Sequence, residues 1–221
     1  MTPVEARLQS WLSDDEGSLR KARFALVMAV IYVAFSASYI ASNLFSVGRR
    51  AYRLYLPGEA RIPFLPIFEY LYVLTFFVPV LLIVTVGTYE RFRRLMCALG
   101  IALAVAFSTY LLFPVYFERR PLAVSSLHTW LLSLQYLDKP YNDFPSLHVT
   151  LSWLAVHASQ VSRGSRIALV LVATGISIST VFVKQHYVVD VVFGYVLAWG
   201  AWTLAAVARP RAGSSVAAAR R

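Results

Sequence analysis

Residues 95–117 read LMCALGIALAVAFSTYLLFPVYF, a stretch without a single charged side chain. At a rise of about 1.5 Å per residue, a helix of about 20 residues crosses the roughly 30 Å of hydrocarbon in a bilayer. The stretch is therefore long enough to span a membrane as one helix. Because lipid offers no partner to backbone polar groups, a helix is the structure that such a run adopts there.

Five further apolar runs accompany this one along the chain. Together the six runs cover residues 24–47, 66–88, 95–117, 146–161, 166–183 and 186–207. The fourth run is short, and only a polar group at 184–186 interrupts the last two, which predicts a hairpin there. We therefore predict an all-α protein, a bundle of six transmembrane helices over residues 24–208. An N-terminal segment, 1–23, precedes it and a tail, 209–221, follows it.

The composition favours a membrane protein over a soluble one. Hydrophobic residues make up 58% of the 221 residues and charged residues only 14%, against roughly 25% charged in soluble domains. The 21 Lys and Arg exceed the 11 Asp and Glu. No soluble basic domain is left once the six runs are set aside, so we expect no nucleic-acid partner. The single cysteine, Cys97, has no second cysteine for a disulfide.

The distribution of Lys and Arg predicts the orientation of the helices. Six alternating spans put both termini on one side, and thirteen of the 21 basic residues then fall on that side. Cytoplasmic segments carry the excess of Lys and Arg. We therefore expect a multi-pass protein of the plasma (inner) membrane with both termini cytoplasmic.

Polar residues converge where the spans begin and end on the outer side. The third and fifth spans end there, and the fourth and sixth begin there. These places carry Arg119, Arg120, Ser146, His148, Lys184, His186 and Asp190. Ionisable groups are costly at membrane depth, and those that occur there are usually functional. We therefore predict one active site at the outer membrane–water interface.

The spacing within this group indicates phosphate chemistry. His186 and Asp190 are four residues apart, so on a helix the carboxylate can orient the imidazole and stabilise its charged form. Ser146 and His148 open the fourth helix, whose first N–H groups lack partners and favour phosphate. Taken alone, a pair at this spacing is usually a structural ion pair. The neighbouring polar residues favour a function.

Two of these segments resemble motifs of the type 2 phosphatidic acid phosphatase superfamily, lipid phosphatases related to vanadium haloperoxidases. The run Pro145-Ser146-Leu147-His148 matches the second motif of that family, Pro-Ser-x-His. The third motif is Ser-Arg, five residues, His, three residues and Asp. It matches at Ser179, His186 and Asp190, with Thr180 in place of the arginine.

The first motif of the family, Lys, six residues and Arg-Pro, is the weakest match. Arg120 and Pro121 fit it, but Phe113 occupies the lysine position. With Thr180, this replaces two cations that bind phosphate in the family. Lys184 lies four residues after Thr180, on the same face of a continuing helix, and we hypothesise that it supplies a missing charge.

The resemblance implies a role for each residue. His186 would attack phosphorus to form a phosphohistidine, Asp190 would fix its tautomer, and His148 would be the general acid and then the general base. The residues implied to bind the substrate phosphate are Arg120, Ser146, Lys184 and Arg119. For the two arginines, anchoring at the membrane interface is the alternative.

The implied function is a membrane lipid phosphatase that acts on a lipid phosphate monoester or diphosphate and needs no cofactor or metal. No carboxylate cluster suits Mg²⁺ and no His/Cys set suits Zn²⁺. Residues 62–66 and 184–187 are similar to inositol phosphorylceramide synthase-like proteins, so a lipid phosphotransferase is an alternative. A non-catalytic lipid-binding or transport protein is another. His128 and His157 match no motif and are expected to be structural or surface residues.

Overall fold

The computed structural model describes residues 2–119, 123–135 and 138–207. Within these ranges every regular element is a helix, and pairing between extended segments is confined to isolated bridges. The prediction of an all-α protein is therefore confirmed. The predicted tail, 209–221, lies outside the described residues.

Among the described residues, five helices are long and apolar enough to cross a membrane. They are Lys21–Ser46, Pro66–Thr85, Tyr89–Leu112, Arg163–Phe182 and Val188–Val207. A shorter apolar helix, Leu147–Ala158, has 12 residues, fewer than the about 20 that a bilayer requires. Five of the six predicted spans thus have the length of a transmembrane helix, and the fourth does not.

The α-helices of the described ranges are numbered in chain order. They are α1 Pro3–Leu12, α2 Lys21–Ser46, α3 Glu69–Tyr72, α4 Val78–Thr85, α5 Tyr89–Leu112, α6 Leu127–Gln135, α7 Leu147–Ala158, α8 Arg163–Phe182 and α9 Val188–Val207. Short 3-10 turns at Pro66–Phe68 and Val73–Phe77 join α3 and α4 into the second span. Pro66 and Pro79 have no N–H to donate, which favours such interruptions of the α-helix.

Several helix starts differ from the predicted ones, among them those of α5 and α9. α5 begins at Tyr89, several residues early, because Thr88 accepts a hydrogen bond from the backbone N–H of Arg91 and caps the helix ahead of its charged first turns. α9 begins at Val188, so His186 precedes the helix instead of opening it. Hydropathy identifies the apolar body of a helix, whereas capping decides where the helix starts.

Two further helices are not predicted by the apolar runs. α1 forms because the Thr2 hydroxyl accepts the N–H of Glu5 at 3.2 Å and the Glu5 carboxylate accepts the N–H of Thr2 at 2.7 Å. α6 lies between α5 and α7, and its Gln135 donates a hydrogen bond to Glu69 of α3. Both helices are too short to show the hydropathy of a span.

Small residues let three helices approach closely at the centre of the bundle. α9 packs against α7 and α5, and α5 places Ala98, Ala102 and Ala106, all fully buried, one turn apart. Small side chains at helix contacts are typical of membrane bundles. Large apolar side chains face outward, and Val33 and Leu171 are each 67% exposed. An apolar outer surface of this kind suits a bilayer as solvent.

The end of α5 and the starts of α7 and α9 lie together at one end of the bundle. The Tyr110 hydroxyl, near the end of α5, donates to the carbonyl oxygen of Pro145 at 2.8 Å, just ahead of α7. The N–H of Ser146 donates to the carbonyl oxygen of Asp190, in the first turn of α9, at 3.2 Å. This end of the bundle carries the predicted polar residues.

Candidate active site

Two histidines from different parts of the chain are in contact at this end. His148 lies in the first turn of α7, and His186 lies in the turn between α8 and α9. The His148 Nδ1 atom is 3.0 Å from the His186 Nε2 atom. A hydrogen bond between two imidazoles requires a proton on one of these nitrogens and a lone pair on the other. The pair can therefore hold and move a proton.

Asp190 lies on the other side of His186. The distance from His186 Nδ1 to Asp190 Oδ2 is 3.4 Å, long for a hydrogen bond, so the contact is mainly electrostatic. The same oxygen accepts the backbone N–H of Tyr187 at 2.9 Å. His186 and Asp190 were predicted to share one helical face. They meet instead across the turn that starts α9, because the carboxylate caps that turn.

The protonation of His186 follows from its surroundings. Burial lowers the pKa of His186 to about 3, the backbone of Asp143 acts against this shift, and the Arg119 guanidinium adds to it. The imidazole is therefore neutral at physiological pH, with one lone pair. Because Asp190 faces Nδ1, the proton belongs on Nδ1, and Nε2 carries the lone pair. Nε2 is the atom that faces His148.

Ser146 is the N-cap of α7, where the sequence placed it. Its hydroxyl accepts the N–H of Val149 at 3.5 Å, and its own N–H donates to the carbonyl oxygen of Asp190 at 3.2 Å. Ser146 is fully buried. The residue thus joins the start of α7 to the start of α9. Its predicted contact with phosphate stays a prediction.

Gly194 sets the spacing between these two helices. A Cβ atom at this position would lie 2.7 Å from the carbonyl oxygen of Ser146 and 3.0 Å from the Cβ of Val149. The Thr150 hydroxyl donates to the carbonyl oxygen of Gly194 at 3.0 Å. Only glycine fits, and its absent side chain lets α7 and α9 approach closely. This contact fixes the position of His148, on α7, relative to Asp190, on α9.

Arg119 is largely shielded from solvent and is held by several polar contacts. Its guanidinium pairs with Asp138 at 2.7 Å, and its side chain is 13% exposed. It also donates to the carbonyl oxygens of Gln135 and Asp138. Asp138 in turn accepts the hydroxyl of Tyr39 at 3.1 Å. This low exposure argues against the alternative role of an interfacial anchor.

The predicted first motif covers residues 113–121. Arg120 and Pro121 lie outside the described residues. Phe113, at the position of the family lysine, stacks on Tyr52 with 4.1 Å between ring centroids. Phe113 therefore takes part in aromatic packing. Within residues 113–119, the described part of this motif, the cation is Arg119.

Lys184 is buried in the turn between α8 and α9, at 8% exposure. α8 ends at Phe182, and Lys184 has a φ of 57°, so the prediction that Lys184 and Thr180 share one helical face is wrong. Thr180 instead holds the turn, because its carbonyl oxygen accepts the N–H groups of Gln185 at 2.9 Å and His186 at 3.2 Å. The backbone of Thr180 thus positions His186, although its side chain cannot replace an arginine.

A family model matches most of the chain. The model of the PAP2 superfamily matches residues 57–204, a range that contains both histidines, Asp190 and most of the helices. The chain belongs to the PAP2 superfamily. The similarity to the inositol phosphorylceramide synthase-like branch stays a prediction.

One solved structure is similar to this PAP2 protein. It is the crystal structure of Aquifex aeolicus LpxE, with a TM-score of 0.46 and 16% sequence identity, over 76% of this chain and 93% of that chain. No curated protein matches the sequence.

Asp143 belongs to the site of this PAP2 protein, although the sequence patterns gave it no role. It is 6% exposed. Burial raises the pKa of the Asp143 carboxyl well above its usual range, and the charge of Asp190 adds to the shift. Within the described ranges its Oδ2 has no hydrogen-bond partner. Its position just ahead of the Pro-Ser-x-His motif was the available signal.

Glu59 ties the loop between α2 and α3 to the site. Its Oε1 atom accepts the N–H of Val188, the first residue of α9, at 2.7 Å, and its Oε2 atom accepts the N–H of Leu56 at 2.9 Å. A carboxylate at the start of a helix is favoured by the helix dipole. Acidic residues are scarce in this chain. Glu59 lies in a loop and is only 6% exposed, which indicates a carboxylate held by fixed hydrogen bonds.

No metal-binding group is evident in the part of the chain that the structure describes, where no three His, Cys, Asp or Glu side chains are grouped as metal ligands. The prediction of a metal-independent site remains untested by this.

An open apolar groove of about 310 Å³ lies between α8 and α9, next to the turn that carries His186. Its lining includes Ile62, Ile178, Val181, Phe182, Val188 and Val192.

Proposed function

We propose that this PAP2 protein is an integral membrane lipid phosphatase that hydrolyses a phosphate monoester or diphosphate of a lipid. The proposal rests on the 3.0 Å contact between His148 Nδ1 and His186 Nε2, with Asp190 on the far side of His186. One imidazole is positioned as a nucleophile and the other as an acid and base within one pocket. Membership of the PAP2 superfamily supports this reading.

The first step forms a phosphohistidine. The lone pair on His186 Nε2 attacks phosphorus, and the bond between phosphorus and the lipid oxygen breaks. The phosphate enters between the two imidazoles and replaces their hydrogen bond, and His148 takes up a second proton, on Nε2, from solvent as the anionic substrate binds. His148 then donates its Nδ1 proton to the leaving oxygen, which departs as an alcohol, and the His148 ring becomes neutral. Positive charge grows on the His186 imidazole as the new bond forms, and Asp190 stabilises it through Nδ1. Covalent catalysis thereby divides one difficult displacement into two steps.

The second step returns the enzyme to its starting state. His148 Nδ1, now carrying a lone pair, accepts a proton from water as the water oxygen attacks phosphorus. The bond between phosphorus and His186 Nε2 breaks, and inorganic phosphate leaves. His186 is neutral again, and His148, now protonated on both nitrogens, returns its Nε2 proton to solvent and keeps the one on Nδ1. The same group therefore serves as acid and as base.

Cations and N–H groups at the site would bind the phosphate oxygens. Arg119 carries a charge that is largely shielded from solvent, and Lys184 is buried in the turn next to His186. Arg120 and Ser146 complete the proposed set, together with the N–H groups at the start of α7. Donors fixed in advance around a phosphoryl group stabilise the charge that develops during its transfer.

The proposed placement in the membrane has six spans, with the site at the outer interface and both termini cytoplasmic. α7 has 12 residues and is about 18 Å long at about 1.5 Å per residue, so its first turn can lie below the outer surface while its last turn stays near the inner one. The apolar groove between α8 and α9 would accept a hydrocarbon chain of the substrate. The phosphate would then lie at His186.

The deciding experiment measures phosphate release by detergent-purified protein in the presence of EDTA, with lipid monoesters and lipid diphosphates as substrates. We expect the wild type and His128→Ala to release phosphate and His186→Ala to release none. His128 contacts Ser126 and the ring of Tyr70, away from the two histidines, so it is a matched control.

Three outcomes would count against the proposal. Loss of release on adding EDTA would point to a metal-dependent enzyme. Release by His186→Ala at the wild-type rate would exclude His186 as the nucleophile. No release from any lipid by the wild type would favour a phosphotransferase or a non-catalytic protein.

A further inference from the structure

Tyr72 contacts the catalytic pair from outside the family motifs. Its hydroxyl lies 2.7 Å from His148 Nε2, and the centroids of the two rings are 4.8 Å apart. The residue is 2% exposed and lies at the end of α3, a helix of four residues.

The surroundings of Tyr72 fix its position. It forms a buried apolar cluster with Leu132 of α6 and Val183 of the turn that carries His186. One turn earlier on the same short helix, Glu69 is fully buried and accepts a hydrogen bond from Gln135. A side chain held on several sides has little rotamer freedom, so its hydroxyl can orient the ring that it contacts.

The hydrogen bonds from Tyr72 through His148 to His186 have a defined direction in the free enzyme. Asp190 places the proton of His186 on Nδ1, so Nε2 is an acceptor. His148 Nδ1, 3.0 Å away, must then be the donor. A neutral His148 consequently has its lone pair on Nε2, and the Tyr72 hydroxyl donates to it at 2.7 Å.

We propose that Tyr72 is a positioning residue, which holds His148 with Nδ1 directed into the phosphate pocket, toward the leaving lipid oxygen. It thereby reserves Nδ1 as the nitrogen that gives a proton to the leaving lipid oxygen. The inference rests on the proposed function, because it assigns a partner to the general acid of that reaction. No motif residue contacts His148 Nε2 among the residues that the structure describes.

Tyr72 can hydrogen-bond to His148 in both protonation states of the imidazole. When His148 takes up a proton from solvent on binding the anionic substrate, both ring nitrogens carry protons and Nε2–H donates to the Tyr72 oxygen. Transfer of the Nδ1 proton to the leaving oxygen then gives a neutral ring that still donates from Nε2. A hydroxyl can donate in one state and accept in the other. Phenylalanine can do neither.

The test compares Tyr72→Phe with wild type on two substrates. An alkyl lipid phosphate has a leaving oxygen that needs a proton, whereas p-nitrophenyl phosphate has one that leaves without it. The quantity compared is kcat/KM, which reports only the steps up to release of the leaving group and so omits the water attack that both substrates share. We expect Tyr72→Phe to lower kcat/KM for the lipid about 10- to 100-fold, since general acid catalysis contributes about 10²–10⁴-fold. For p-nitrophenyl phosphate we expect kcat/KM to stay within about threefold of the wild-type value.

Tyr70→Phe is the matched control, because it also removes a tyrosine hydroxyl. Tyr70 is 42% exposed and contacts His128. We expect it to leave both rates unchanged. If the wild type hydrolyses neither substrate, the proposed function fails. If the wild type is active and Tyr72→Phe changes both rates by the same factor, or neither, the positioning role of Tyr72 is wrong.

A second pair of variants covers the case in which Tyr72→Phe does not fold. Tyr72→Gln retains a donor and an acceptor, and Tyr72→Leu has similar size without either. We expect the ratio of the lipid rate to the p-nitrophenyl phosphate rate to be at least about fivefold higher in Tyr72→Gln than in Tyr72→Leu. Equal ratios would overturn the inference.

Discussion

Helix α7 carries one histidine near each end, and the two have different neighbours. Both ring nitrogens of His148 contact other side chains, His186 at 3.0 Å and Tyr72 at 2.7 Å. His157 stacks on Trp202, with 6.3 Å between ring centroids and 13° between the planes, and within the described ranges its Nε2 has no hydrogen-bond partner. The same residue type on one helix thus contacts other polar side chains at one end and packs against an aromatic ring at the other.

The polar groups around His157 satisfy helix ends. Arg91 donates to the carbonyl oxygen of Ala158 at 3.2 Å, and Arg166 donates to that of Val156 at 3.2 Å. Arg94 donates to the carbonyl oxygen of Trp202 at 2.9 Å. Cations at the C-terminal ends of helices pair with the last carbonyl groups and with the helix dipole. At the His148 end, polar side chains instead contact one another across separate elements.

The largest expected difference between the two ends is in catalysis. His148→Ala removes the proposed acid and base, and we expect kcat for a lipid phosphate to fall about 10²- to 10⁴-fold. His157→Ala removes a stacking contact, and we expect kcat to stay within about twofold of wild type. Steady-state rates of phosphate release measure both. Equal losses in the two variants would show that the two ends do not differ in function.

Two glycines of α9 sharpen the comparison. Gly194→Ala places a Cβ atom 2.7 Å from the carbonyl oxygen of Ser146, and we expect activity to fall about 10- to 100-fold because small displacements of reacting groups are costly. Gly200 has nothing within 4 Å of an added Cβ. We expect Gly200→Ala to retain full activity and to gain up to about 1 kcal/mol of stability from helix propensity. A Gly194→Ala protein with wild-type activity would refute the role of this contact in spacing α7 and α9.

The smallest expected effect is on the pH dependence of stability. His186 has a pKa of about 3 when folded, below its ordinary 6.5, so between these values the unfolded chain binds a proton that the folded chain does not. This contribution to stability is complete above about pH 6.5 and declines as the pH falls toward about 3. From pH 7 to pH 4, we expect the melting temperature of the wild type in detergent to drop at least about 3 °C more than that of His186→Asn. Parallel curves would contradict the neutral, buried state of His186.

The sequence identified the two central histidines and Asp190 because local spacing places them. Pro-Ser-x-His indicated a residue in the first turn of a helix, and the interval between His186 and Asp190 indicated a contact, which the structure shows at 3.4 Å. The reason for the contact was wrong, because capping of α9 and not a shared helical face brings the pair together. Periodicity could not reveal where the cap lies.

Residues that reach the site from distant positions could not be found in this way. Tyr72, Glu59 and Asp143 belong to no periodic pattern, and each acquires its role through a partner far along the chain or through burial. Lys184 shows the converse case, since a spacing argument placed it on a helix that ends before it, at Phe182. Only the packed structure determines which of many polar residues share one pocket.

The amino-acid sequence by itself determined that this protein is all-α, with helices that suit a bilayer, because hydropathy and length are properties of each segment alone. It also determined the family motifs, since these are short and contiguous. The tertiary structure decided how the segments combine: the close approach at Gly194, the contact of His148 with His186 and the hydroxyl of Tyr72 behind it. Such contacts depend on the relative positions of α3, α7 and α9, which no single segment of the sequence specifies.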